Sequence, residues 1–218
     1  MDTKVQFHKN AAVLTAGGDE VGSLERVVFS PESKMITHIV VRTGSLLDKT
    51  DRVVSIDLVT NVTENQVVLR EDAGDLESFS PFEKESVVDK KTGLDHPPLS
   101  ASTTPELMGY PEPDIPVMPT PGEEYVTQIG QSIPDGTVAL KEGAKVISTD
   151  GKHVGKVERV LANPAMDQVT HLLISKGMFP RETKLIPVEW VSTMTEDEVY
   201  LQVDEHRVEE LSDFSMTG

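Results

Sequence analysis

The strongest constraint on this chain is that one stretch of it occurs twice. Moving Val13–Gly44 roughly 133 positions along lands it without a gap on Val146–Gly177, with residues recurring in the same order. Gly18 meets Gly151, Val21-Gly22 meets Val154-Gly155, and Glu25-Arg26-Val27 meets Glu158-Arg159-Val160. Pro31 meets Pro164, Thr37-His38 meets Thr170-His171, and Gly44 meets Gly177. A chain of 218 residues duplicated in this way is expected to hold two small units. At about 70 to 75 residues each, such units gain only a few kcal/mol net from a core of their own, so packing against a neighbour stabilises them.

Each copy reads as a run of short strands. Ala16-Gly17-Gly18-Asp19 and Ser148-Thr149-Asp150-Gly151 are hairpin turns by their glycine and Asp-Gly content. Val21–Phe29 and Met35–Arg42 are rich in β-branched and aliphatic residues and flank a Pro-containing loop; Val154–Ala162 and Gln168–Ser175 repeat the pattern. Strict alternation puts Leu24, Val28, Ile39 and Val41 on one face and Val27, Phe29, Ile36 and Val40 on the other. Both faces are therefore apolar. One is expected to pack against a helix, the other repeat or another chain. Each copy then closes with a short hairpin, Val67-Val68-Leu69 matching Val199-Tyr200-Leu201, and ends in a helical turn, with Asp75 a candidate N-cap.

Between the copies the composition changes. Most of the 14 prolines fall between Pro81 and Pro134, among Ser, Thr and acidic residues, without a sustained period of 2 or 3.6. The expected organisation is a flexible lead-in over 1–10, a first repeat over 11–83, a largely disordered acidic Pro-rich linker over 84–136, a second repeat over 137–214, and a tail over 215–218.

The motifs GAKVISTDGKHVGKVERV, VTHLLISKG, LIPVEWV and EVYLQV resemble the PRC-barrel family, and VLTAGGDEVGSLERV, ITHIVVRTG, VVSIDLV and QVVLRED resemble it again. That family supplies the cytoplasmic part of the photosynthetic reaction-centre H subunit and the C-terminal part of the ribosome maturation factor RimM. The resemblance implies an all-β fold of two tandem small PRC-type β-barrels joined by the linker, and a habit of binding proteins. It carries neither specific function across, because function resides in sites grafted onto folds.

Composition bounds the partners. A net charge of -17 repels phosphate backbones, so a nucleic-acid partner is not expected; acidity serves solubility or attracts a basic protein. With no cysteine, disulfides and thiolate chemistry are excluded. Neither an apolar signal core at the N-terminus nor an apolar run of about 18 residues is present, so a cytoplasmic protein without a transmembrane segment is expected.

No motif points to catalysis. A G-x-S-x-G elbow is missing, and Gly17-Gly18 lacks the Gly-Lys-Ser/Thr of a phosphate loop. Asp204-Glu205-His206 with Glu209 reads as a solvated acidic face, so neither metal nor cofactor is expected. His38 and His171 read as partly buried fold residues, Glu25 as outward-pointing, Arg26 as a barrel-rim arginine paired across strands, and Trp190 as core filler. The candidate interaction surface is Val27, Phe29, Ile36, His38 and Val40 with Val160, Val169, His171 and Leu173. The leading functional expectation is a non-enzymatic protein-binding or scaffold protein, with homo-oligomerisation or barrel–barrel packing. The alternatives are a soluble relative of the H subunit assisting a membrane electron-transfer complex, and a small-ligand sensor or enzyme in an inter-barrel cleft.

Overall fold

The β-branched runs of each copy do form strands. The computed structural model of the chain describes residues 5–45, 48–63, 65–89, 95–96, 125–163, 167–177 and 182–214. The first copy contains β1 (Val5–Phe7), β2 (Ala12–Leu14), β3 (Glu20–Phe29), β4 (Ile36–Ser45), β5 (Asp48–Ser55), β6 (Val59–Val62) and β7 (Gln66–Leu69). Next come β8 (Glu83–Asp89), β9 (Asp95–His96) and β10 (Tyr125–Gln131). The second copy contains β11 (Val138–Lys141), β12 (Lys145–Ile147), β13 (His153–Asn163), β14 (Gln168–Lys176), β15 (Glu182–Pro187), β16 (Val191–Met194), β17 (Glu198–Leu201) and the helical turn α1 (Glu205–Glu209).

The two copies share one strand order. The first runs β5-β4-β3-β2-β7-β6 and the second β15-β14-β13-β12-β17-β16, with the β2/β7 and β12/β17 pairs parallel. Turn chemistry works as the glycines suggest: Gly18 and Gly151 hold positive φ (92° and 77°), and each donates its amide to the residue that opens its turn, Thr15 or Ser148. Asp75 caps its turn by accepting from the Glu77 amide, and Asp204 does the same for Arg207 at the start of α1.

Each sheet is an open path rather than a closed ring, a departure from the barrel expectation. Backbone straps occupy the outer edges where closure would occur. Val53 N–H donates to Ser80 O (3.0 Å) and Phe82 N–H to Asp51 O (2.7 Å) along β5; Phe214 N–H donates to Thr183 O (2.7 Å) along β15.

The lead-in also departs from expectation. β1 leads the first copy in sequence yet pairs with β13 of the second, Phe7 opposite Val160; β11 leads the second copy yet pairs with β3 of the first, Leu140 opposite Val27. The copies exchange their leading strands. Both hairpin tips meet as well, Ile36 N–H donating to Asp167 O and Val169 N–H to Lys34 O. A single apolar core accordingly draws on both repeats, including Phe7, Val13, Val27, Phe29, Leu140, Val146 and Val160.

The chain divides into two units, Met1–Phe82 with Ser132–Gly218, and Glu83–Gln131. In the second, β10 pairs with β8 along seven residues and β8 with β9, giving three strands within the span read as linker; the rest of that span lies outside the described residues, apart from Ser132–Gly136 in the first unit.

Candidate functional site

Two β-bulges decide where the candidate residues point. The β3/β4 register shifts between Leu24 and Arg26 and again between Val28 and Phe29, and β13/β14 shifts at the matched places, Val157/Arg159 and Leu161/Ala162. An extra residue in one strand reverses the alternation beyond it. Leu24, Val27, Phe29, Ile36, Ile39 and Val41 therefore share the main core, while Val28 and Val40 join Val53, Phe82 and Ala139 in a second, smaller one. The face assignment from strict alternation is corrected accordingly.

The apolar members of the candidate surface are all buried. Val27, Phe29, Ile36, Val160 and Val169 lie in the core common to both repeats, Val40 in the smaller core, and Leu173 is fully buried. His38 and His171 are half-buried. Burial holds the His38 imidazole below its usual range, against a smaller opposing pull from Asp57.

Glu25 is not outward-pointing. As the extra residue of the first bulge it turns inward, leaving 8% exposed, and its Oε1 lies 2.5 Å from Lys9 Nζ and its Oε2 2.9 Å from Arg42 Nη1. Arg42 also grips Asp51 with two hydrogen bonds, at 2.8 and 2.9 Å. A Glu-Arg doublet interrupts an apolar run at the same place in both copies, but the doublet alone does not show that alternation breaks there. The second copy keeps the bulge and its glutamate, Glu158, but not the same surroundings, since Glu142, Ser175 and Thr183 stand where Lys9, Arg42 and Asp51 do. Glu142 Oε2 instead accepts from the Lys9 amide at 2.8 Å.

Arg26 is paired across the repeats. Its side chain, 9% exposed, pairs with Glu196, and its guanidinium lies 4.5 Å from the Phe82 ring centroid. Lys141 reaches the same Glu196 oxygen at 2.5 Å, and burial is outweighed there: hydrogen bonding to Glu196 holds the lysine above its usual range. The matched Arg159 donates to Gln6 Oε1 at 2.9 Å.

A cavity of about 20 Å³ lies where the repeats meet, walled by Phe7, Leu24 and Val27 and by their counterparts Leu140, Val157 and Val160. Another, of about 100 Å³, lies beside Val59, Val62 and Asn163; at the place of Val62 the second copy has a buried Met194. Both fall short of the roughly 300 to 1,000 Å³ of ordinary ligand sites. Trp190 packs partly buried against the core, with Arg207 5.7 Å over its ring. Among the described residues no cluster of three or more His, Asp or Glu side chains is arranged to hold a metal ion.

Residues 142–209, from just before β12 to the end of α1, match the model of the PRC-barrel domain family. No curated protein matches the chain. Among the described residues no helix is long and apolar enough to cross a membrane.

Proposed function

We propose that the protein is a non-enzymatic protein-binding scaffold of the cytoplasm, built from tandem PRC-type repeats. One observation carries this reading: the strand order of the PRC-barrel domain at 142–209 recurs, strand for strand, over β2–β7. A domain class that suggests an interaction module at 142–209, with the same strand order recurring earlier on the chain, supports this reading, and the cavities described are too small to favour the sensor or enzyme reading. Acidity adds the partner's chemistry. With 37 acidic against 20 basic residues, the surface attracts a basic protein, and that attraction weakens with salt.

The test is crosslinking and capture of the full chain from its native cells, repeated at low and high salt. A stoichiometric basic protein, lost as salt rises, is the expected result. Exclusive recovery with a membrane electron-transfer complex would replace this reading with the H-subunit alternative, and recovery without any protein would overturn it.

A further inference from the structure

The two repeats close with matched straps that are held in different ways. Phe82 N–H donates to Asp51 O and Phe214 N–H to Thr183 O, each at 2.7 Å, one bond in two copies. In the first copy the phenylalanine locks the strap: Phe82 is 1% exposed, packs with Val28, Val40, Val53 and Ala139, and carries the Arg26 guanidinium over its ring. In the second, Leu161, Leu173 and Leu185 stand where Val28, Val40 and Val53 do, each larger by one methylene, and Phe214 is only half-buried. From Asp204 to Phe214 a single side chain, Val208, is buried. The other contacts that hold this strap are mostly polar. Lys152 and Lys176 each lie 2.8 Å from a Glu205 oxygen at the start of α1, and Lys184 donates to the carbonyls of Glu209 (3.1 Å) and Leu211 (2.7 Å) at its end.

We propose that residues 204–214 form a latch, a charge-held strap that opens from the second repeat while the strands beneath it stay folded and the strap of the first repeat stays locked. Three observations set its adhesion low. Lys152 and Lys176 are 58% and 44% exposed, and ion pairs so open to water contribute little each. A cavity of about 90 Å³ lies between α1 and the sheet, beside Val154, Ile174 and Val208, so the strap's apolar side is incompletely packed. A five-residue helix has no stability of its own away from that sheet. The hinge falls after Val203, whose carbonyl accepts from Thr149 N–H at 2.8 Å and ties the chain down to that point. Opening bares the Thr183 carbonyl on β15 and the apolar pair Val154 and Ile174, a surface the locked first repeat does not release. The inference does not depend on the basic-partner reading above.

The experiment is native-state hydrogen exchange of the full chain, read amide by amide, on the wild type and on Glu205→Gln and Lys184→Met. The amides of Arg207, Glu210, Leu211 and Phe214 are bonded within the strap or to β15. They are expected to exchange at least about tenfold faster than that of Phe82, after correction for intrinsic rates. Either variant is expected to raise the strap rates by a further factor of about three to ten and to leave Phe82 and the amides of β13 and β14 unchanged. Circular dichroism confirms that each variant is folded. Strap amides as slow as that of Phe82, variants that leave the strap rates unchanged, or variants that accelerate strap and core together would each overturn the proposal.

Discussion

Ile36 donates its amide to the carbonyl of Asp167 at 2.7 Å, and the equivalent bond, Val169 to Lys34, returns at 2.8 Å. The two hairpin tips thus clasp each other about a local twofold relation. Together with the exchanged β1 and β11, the clasp makes each repeat part of the other's sheet. Unfolding is expected to be a single cooperative transition for the whole unit. Val13→Ala and Val146→Ala, at matched and fully buried positions, each cost about 2 kcal/mol and displace the same transition. Scanning calorimetry checks this, because two transitions moving separately would mean independent repeats.

Gly22 and Gly155 keep their place for lack of room. A Cβ on Gly22 would sit 2.5 Å from the Arg42 carbonyl oxygen, and one on Gly155 would sit 2.8 Å from that of Ser175. Neither oxygen is the end of a flexible side chain. Gly22→Ala and Gly155→Ala are expected to destabilise by about 1 to 3 kcal/mol each, measured by urea denaturation. Alanine at Gly17, where the nearest atom is 3.6 Å away, is the tolerated control.

The Val-Gly doublets were legible in the duplicated sequence as a recurring pattern, and so were the turns at Gly18 and Gly151 and the Asp75 cap. What the pattern could not show is where alternation breaks. Glu25 and Glu158 look like ordinary strand residues until a partner strand reveals two residues opposing one. β1 was invisible for another reason: Val5-Gln6-Phe7 is too short to carry a period, and its partners lie in the other repeat, at Val160–Ala162. The candidate surface was legible as apolar, but the bulges, absent from the sequence signal, decide that Val27 and Ile36 share a core while Val40 lies in another.

Glu25 is a buried carboxylate held by two cations, and the loss depends on which partner is removed. Arg42→Met leaves the carboxylate with Lys9 alone and is expected to cost about 2 to 3 kcal/mol. Glu25→Gln leaves cations that are about one third exposed and can rehydrate, so its cost is smaller, about 1 kcal/mol. A double-mutant cycle by denaturant unfolding should return a coupling of at least about 0.5 kcal/mol; additivity within error would exclude the network.

His38 gives stability a pH dependence of definite sign. Its folded value is lowered from 6.5, so between that folded value and 6.5 the unfolded chain binds the extra proton. Stability is full above 6.5 and declines as pH falls through the folded value. His38→Gln is expected to flatten the slope of unfolding free energy between about pH 7.5 and 5.5; an unchanged slope would assign it to other groups.

Ser132 donates its amide to the carbonyl of Phe82 at 2.8 Å, so the chain leaves the first unit and re-enters it through adjacent positions. Everything between is, for that unit, an insertion at one address. Such an address accepts changes of length or content without requiring the remaining strands to move. A reporter domain grafted there in place of residues 84–130 would share the protein's two ends of attachment, and the site offers a ready port for building labelled or multivalent forms of the molecule.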